Sequence, residues 1–397
     1  MKKLHYSLVK AIVTILEQVF VQNIFADKAI ESMLKSNPIW GARDRAFIAE
    51  TAYDIIRYYR LYQYCAHTKD DHWKIAGCYF ILNEFEMTDW NEFVSLNPKD
   101  IISQHIVAQN NRQIRESIPD WLDDLGEKEL STSWEQELQA LNKQAQVVLR
   151  TNTLKITKAE LQEKLREENI ETTESLVHSD ALILNRRRNI FLSASFKKGF
   201  FEVQDASSQL VAPFLQVEPG MRVIDACAGA GGKTLHLAAL MKNKGSLIAL
   251  DMEKWKLDEL KKRGRRNGVS IVETRWIDTT KVTKRLRETA DRLLLDVPCS
   301  GLGVLRRNPD AKWKLNKTFI AKVIEQQKQI LHNYSNMIKP TGKIVYSTCS
   351  ILPSENKLQI QEFLNLHPEF QLEEEKNISP FESGFDGFYM ARLSRKS

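Results

Sequence analysis

The sequence predicts a chain of three consecutive parts, the last of them an α/β domain built on a mostly parallel sheet. Three observations predict it. The opening is poor in glycine and spaced like amphipathic helices, the middle is short and mixed, and the remainder alternates apolar strands with helical stretches. At 397 residues the chain exceeds what one core usually supports, and its 43% hydrophobic content is that of a globular protein with a full core. The formal net charge of +6 is compatible with a polyanionic partner and does not require one.

Residues 1–145 read as helical. Leu8, Ile12, Ile15 and Val19 line one helix face, and Ile48, Ala52, Ile55 and Tyr59 line another. Arg43, Arg45, Arg57 and Arg60 fall off that second stripe, where a solvated face and an RNA-touching patch are both open readings. Ser117-Ile118-Pro119-Asp120 breaks the pattern before an amphipathic run from Ser133 to Ala145. Residues 146–203 are mixed: a strand at Val147–Arg150, a helix at Lys158–Glu168 and a strand at Ala181–Leu184. The basic turn Asn185-Arg186-Arg187-Arg188 follows, as readily a phosphate contact as a solvated loop.

From 204 to 397, strands are expected at Arg222–Ala226, Ser246–Leu250, Ile271–Trp276, Arg292–Leu295 and Lys343–Ser347. Helices fit between them at Thr234–Met241, Glu253–Arg263 and Thr318–Ile338. Phe388–Leu393 follows Phe370-Gln371-Leu372 through a loop, which suits an antiparallel pairing at the sheet edge.

Five cysteines, Cys65, Cys78, Cys227, Cys299 and Cys349, are odd in number and contain no CxxC pair, so neither a disulfide framework nor a metal site is expected. His5, Lys10 and Glu17 interrupt the apolar stretch that a leader beginning Met1-Lys2-Lys3 would need, and no run is long enough to span a bilayer. A cytoplasmic protein without membrane contact is the expectation.

The segment Asp225-Ala226-Cys227-Ala228-Gly229-Ala230-Gly231-Gly232-Lys233-Thr234 joins a strand to a helix through a glycine turn, which presents backbone N–H groups to a ligand. A Walker A loop would need glycine where Cys227 stands, and a dinucleotide fingerprint begun at Gly229 would need it at Thr234. A nucleoside carrying an amino-acid group fits better. Asp251, ending the second strand, suits ribose hydroxyls, and Asp278, after the third, suits an adenine amino group. S-adenosylmethionine is the expected cofactor, bound by Cys227, Ala228, Gly229, Ala230, Gly231, Gly232, Lys233, Asp251, Asp278 and Asp296.

The fourth strand runs into Asp296-Val297-Pro298-Cys299-Ser300-Gly301 and the fifth into Thr348-Cys349-Ser350, bringing two thiols to the cofactor rim. Carbon 5 of cytosine takes a methyl group only after a thiolate adds to carbon 6. Asp296 is placed to stabilise that adduct near ring nitrogen 3, and Lys233 to lower a thiol pKa or orient substrate. Enzymes methylating exocyclic amino groups carry an aromatic residue where this chain has Cys299, which favours carbon over nitrogen. The residues themselves do not choose between the two cysteines as nucleophile.

These motifs, with Leu149-Arg150-Thr151-Asn152-Thr153-Leu154-Lys155, Gln204–Leu210 and Asp386–Leu393, resemble the RsmB/Nop2/Sun family of RNA cytosine-C5 methyltransferases. The resemblance implies a Rossmann-like methyltransferase domain with a mostly parallel seven-stranded sheet, preceded by an RNA-recognition-like α+β region and an all-α NusB-like domain. It implies that Cys349 attacks and Cys299 assists product release, whereas DNA cytosine methyltransferases use a Pro-Cys pair like Pro298-Cys299 for attack. Ala230 departs from the family's usual proline. Arg306, Arg307, Lys312, Trp313 and Lys314 follow the Cys299 motif and are expected to contact RNA beside the pocket. Lys261, Lys262, Arg263, Arg265 and Arg266 end a helix, where cations suit the dipole. The expected substrate is 16S rRNA, acted on by a monomer; a tRNA substrate, or a non-catalytic RNA-binding factor on the same fold, are the alternatives.

Overall fold

The computed structural model describes residues 3–175 and 179–396, so Met1 and Lys2 of the rejected leader lie outside the described residues. The chain forms two compact units, residues 1–143 with 305–317, and residues 144–304 with 318–397.

Among the described residues, the first unit is helical apart from one bridge between Lys3 and Glu86. Leu8, Ile12, Ile15 and Val19 are all buried on the helix Tyr6–Phe20, as their spacing demands. The second predicted stripe is divided: Ile48, Ala52 and Ile55 belong to the helix Ala42–Arg57, and Tyr59 opens the helix Tyr59–Cys65 after Tyr58 leaves helical geometry. Three of the four arginines hold this unit's own chain. Arg45 donates to the carbonyls of Leu34 and Trp40, Arg60 to that of Ile118, and buried Arg57 to that of Arg306; Arg43 is exposed.

Residues 305–317 correct the sequence reading twice, since they join the helical unit instead of continuing the last region, and they are not displayed on a loop. Lys312 is 1% exposed, and its Nζ lies 2.7 Å from the carbonyl of Arg57 and 3.2 Å from Asn142 Oδ1. These groups, with the carbonyl of Glu116 at 3.4 Å, stand at the C-terminal ends of three helices, where orphan carbonyls attract a cation. Burial, helped by the nearby Arg57, pushes the Lys312 ammonium pKa well below its ordinary value. Buried Arg306 donates to the carbonyl of Ala140, half-buried Trp313 to that of Ile56, and half-buried Lys314 to that of Ile24; Arg307 is half-buried. The side chains of Arg306, Lys312, Trp313 and Lys314, expected to meet RNA, instead donate within the helical unit.

The second unit contains two sheets. In the smaller, β1 (Val148–Thr151), β2 (Thr172–Glu174), β3 (Ala181–Leu184) and β4 (Phe201–Val203) pair antiparallel in the order β2-β3-β1-β4. The helix Lys158–Glu167 covers one face; its N-terminus is closed by Thr157 and Glu160, each binding the other's backbone N–H. Asn185–Asn189 is exposed, though Arg187 and Arg188 reach the carbonyls of Ala145 and Asn169.

The larger sheet has seven strands: β5 (Arg222–Asp225), β6 (Ser246–Asp251), β7 (Val272–Trp276), β8 (Ala290–Asp296), β9 (Ile338–Thr348), β10 (Phe370–Ile378) and β11 (Phe388–Arg395). Their order is β10-β11-β9-β8-β5-β6-β7, and β7 through β9 are mutually parallel. This is the mostly parallel sheet that the alternation predicts, with the Rossmann-like arrangement that the family resemblance implies. The core divides by strand parity. Ile224, Leu293, Leu295, Ile344 and Tyr346 face helices Lys317–Tyr334 and Lys357–Leu366, while Val223, Leu294 and Val345 face helix Gly232–Leu240. The expected antiparallel pairing at the sheet edge is present: β11 pairs with both β9 and β10, and β10 forms the outermost strand. Polar and charged residues fill most of β10 (Phe370-Gln371-Leu372-Glu373-Glu374-Glu375-Lys376-Asn377-Ile378), which suits an edge. Among the described residues, no helix is long and apolar enough to cross a membrane, and no cluster of His, Cys, Asp and Glu is arranged for a metal.

Candidate active site

Parallel strands deliver the site residues to one rim. Asp225 ends β5, Asp251 ends β6 and Asp296 ends β8, while Thr348 ends β9 immediately before Cys349. Register aligns them, since Asp296 lies opposite Ser347 and Asp251 opposite Trp276. The glycine turn follows β5, where the chain's crossovers change direction between β6 and β8.

Gly229 and Gly231 have φ of +54° and +89°, conformations that favour glycine. A Cβ added at Gly229 or Gly232 would meet nothing within 4 Å, so both face open space. The turn is fastened from behind by two arginines. Arg150 of β1 donates to the carbonyl of Gly232 at 2.6 Å, and Arg263 to that of Ala230 at 2.7 Å. Arg263 and Arg266 also pair with Glu202 of β4, which binds the small sheet to the helix Lys254–Asn267. Position 230 is therefore held through its carbonyl, and proline is not needed to define the turn.

Asp251 accepts from Gly229 N–H at 2.8 Å and from Glu253 N–H at 2.8 Å. Asp278 is exposed just beyond β7. A cavity of about 670 Å³ opens next to these two strand ends, lined by Met252, Ile277, Ile330 and Tyr334 among others. Asp225 is buried and binds Thr234 Oγ1 at 2.7 Å; burial, opposed by Thr234 and reinforced by Asp296, pushes its carboxyl pKa up to about 7.

Lys233 Nζ sits 2.6 Å from Asp296 Oδ2 and 5.1 Å over the ring of Phe388. Burial opposes its charge most strongly, but Asp296, Cys349 and Asp225 together outweigh burial, so the ammonium pKa is raised. Asp296 Oδ1 accepts from Ser347 Oγ at 2.9 Å. The two thiols meet: Cys299 Sγ and Cys349 Sγ are 3.2 Å apart. The hydrogen bond with Cys349, then burial, then the charges of Cys349 and Glu355 raise the Cys299 pKa well above the ordinary thiol value. Cys227 is also raised, chiefly by burial, and half-buried beside the turn. The pair, Lys233 and Asp296 form one group, with the glycine turn beside them; Arg306, Arg307, Lys312 and Trp313 belong to the other unit.

Several residues that the motif reading did not single out build this geometry. Gly303 N–H donates to the carbonyl of Cys349 at 2.9 Å, and Gly387 N–H to that of Gly303 at 2.8 Å, stitching the two cysteine loops to the start of β11. Asn356 closes the second loop, binding Thr348 Oγ1 and the carbonyl of Ser350. Glu355 is buried between both loops. In the sequence it is an acid shortly after a proline at the start of a helix, an ordinary pattern that carries no signal of its partners.

Residues 212–394 match the family model described as 16S rRNA methyltransferase RsmB/F, and residues 118–191 match the ferredoxin-like domain of RsmF/B-like methyltransferases. A probable ribosomal RNA small subunit methyltransferase B of Synechocystis is 34% identical, over 75% of this chain and 70% of that protein. Ribosomal RNA small subunit methyltransferase B of Vibrio cholerae is 35% identical, over 70% of this chain and 65% of that protein. The match thus spans about two thirds of the length of these relatives. The crystal structure of a protein named PH0851 superposes with a TM-score of 0.84 at 26% identity, covering 99% of this chain and all of that one. On the strength of these matches, the chain belongs to the RsmB/Nop2/Sun family, in its RsmB/F branch.

Proposed function

We propose that this chain methylates carbon 5 of a cytosine in small-subunit ribosomal RNA, with S-adenosylmethionine as methyl donor. Its relatives are named for the ribosomal RNA small subunit, which supports the substrate class. The observation that carries the chemistry is the pair of thiols 3.2 Å apart on the rim that also holds the glycine turn.

The residues fit the cofactor. The open face of Gly229 and Gly232 leaves room for its methionine part, with Cys227, Ala228, Ala230, Gly231 and Lys233 completing the turn. Asp251 would hold the ribose, and Asp278 the adenine amino group, beside the cavity lined by Met252 and Ile277. When bound, S-adenosylmethionine supplies an electrophilic methyl group.

Cys349 adds as thiolate to carbon 6, and the electron pair of the 5,6 double bond moves toward carbon 5. Lys233, kept cationic by Asp296, stands beside the cysteine pair and can orient the substrate. As density builds on the ring, nitrogen 3 takes up a solvent proton and the Asp296 carboxylate accepts the resulting N3–H hydrogen bond. Once carbon 5 carries the methyl group, solvent water takes its proton, the freed electron pair reforms the 5,6 double bond, nitrogen 3 gives up its proton, and the bond from carbon 6 to Cys349 Sγ breaks with its pair returning to sulfur as thiolate. Cys299, 3.2 Å away, assists this release.

The test is transfer of labelled methyl groups to 16S rRNA and, in parallel, to tRNA. Wild type should label 16S rRNA at carbon 5 of cytosine, Cys349→Ala should lose transfer, and Cys299→Ala should accumulate a covalent protein–RNA adduct. Labelling of tRNA alone overturns the rRNA assignment, and cofactor binding without transfer to either RNA overturns the enzyme reading.

A further inference from the structure

Two thiols in contact are chemically alike, so something must decide which one attacks. Around the pair stand Lys233 and Asp296 on the glycine-turn side, Tyr346 in β9, and Glu355. Glu355 is fully buried and touches both cysteine loops. Its Oε2 accepts from Ser300 N–H at 2.8 Å and from Gln327 Nε2 at 2.9 Å. Its Oε1 accepts from the hydroxyls of Ser300 and Ser350, the second at 2.5 Å. A carboxylate offers about four lone-pair sites, and here each receives a donor. Ser300 follows Cys299 and Ser350 follows Cys349, so one side chain grips the residue after each thiol. Gln327 extends the grip, since its Nε2 also donates to the carbonyl of Pro298 at 2.9 Å.

We propose that Glu355 is the positioning residue of the cysteine pair: it sets the two loops in register and places its negative charge on the Cys299 side, so that Cys349 is the thiol that attacks. This rests on the assignment of Cys349 as nucleophile. The electrostatics run the same way. Cys349 feels the cation of Lys233, whereas Glu355 adds its negative charge to the environment of Cys299. A cation beside one thiol and an anion beside the other make the surroundings of the pair unequal.

Glu355→Gln separates charge from geometry. The amide oxygen can take the Oε2 donors, while its NH₂ donates to the two serine hydroxyls, which can also accept. Wild type and variant are treated with iodoacetamide at neutral pH, and modification of each cysteine is measured by peptide mass spectrometry. Wild type should react at Cys349 first. In Glu355→Gln the ratio of Cys349 to Cys299 modification should fall about tenfold, the equivalent of one pKa unit, with the melting temperature held. Glu355→Asp, which keeps the charge, should retain the wild-type preference while lowering kcat and leaving KM for S-adenosylmethionine unchanged.

A wild-type ratio in Glu355→Gln overturns the role of Glu355 and leaves the nucleophile assignment standing, as does an equal loss of preference in both variants. Wild-type reaction at Cys299 first overturns the nucleophile assignment, and this proposal with it. If Glu355→Gln fails to fold, Ser300→Ala, which removes one donor from the Cys299 side, should slow single-turnover transfer about tenfold; an unchanged rate overturns the proposal.

Discussion

Asp225 ends β5 with a carboxyl whose pKa lies near 7 in the folded chain against 3.8 as a free side chain, and burial is the main cause. The sign follows from linkage. Stability from the protonated carboxyl is fully present below 3.8 and is lost as pH rises through about 7. Asp225→Asn removes that loss, so its advantage over wild type in urea unfolding should grow by roughly 2–3 kcal/mol between pH 5 and pH 8. Gly303 makes a steric prediction at the same scale. A Cβ there would lie 2.3 Å from the carbonyl oxygen of Gly387 and 2.7 Å from that of Cys349, both backbone atoms. Gly303→Ala should therefore destabilise by about 1–3 kcal/mol and depress kcat by displacing the Cys349 loop, read together by melting and by transfer assays.

The glycine turn is the element on which cofactor binding depends in the proposed reading, and its shape comes from outside its own sequence. Arg150 arrives from the small sheet and Arg263 from the helix after β6, each to a turn carbonyl. Arg263→Ala should weaken S-adenosylmethionine binding about tenfold by releasing one charged hydrogen bond, measured by calorimetry. Glu202 keeps Arg266 and Asn267 as partners in that variant, so the melting temperature should move little. Restoring the family's proline at Ala230 in the Arg263→Ala background should recover part of the affinity, because the ring presets φ where the carbonyl clamp has been lost.

The largest-scale feature is the excursion of residues 305–317 from the catalytic unit into the helical one. It starts two residues after Gly303, and Lys312 anchors it among three helix C-termini. Lys312→Ala removes a fully buried donor and leaves these acceptors without it, so it should destabilise the helical unit by about 3 kcal/mol. Hydrogen exchange should show the loss in helices Ala42–Arg57 and Trp134–Leu141, while S-adenosylmethionine affinity is kept. Equal loosening throughout the catalytic sheet would show instead that the two units unfold as one.

By itself, the sequence determined those features that arise from neighbours along the chain. Strand and helix periodicity, the glycine turn after β5, the aspartates at strand ends and the two cysteine motifs are local patterns, and the parallel sheet brings their strand ends to one rim by topology. Only the tertiary structure decided what depends on partners far along the chain. Lys312 and Arg306 read as exposed cations because nothing near them in sequence shows the helix ends that receive them. The order of β10 and β11 was undetermined because either strand can end an antiparallel pair. Glu355 stayed unnoticed because its meaning lies in Ser300, 55 residues upstream, and in Gln327 on a packed helix. Sequence spacing reports which side chains share a face; burial and hydrogen-bond partners, which set charge state and reactivity, exist only once the chain has folded.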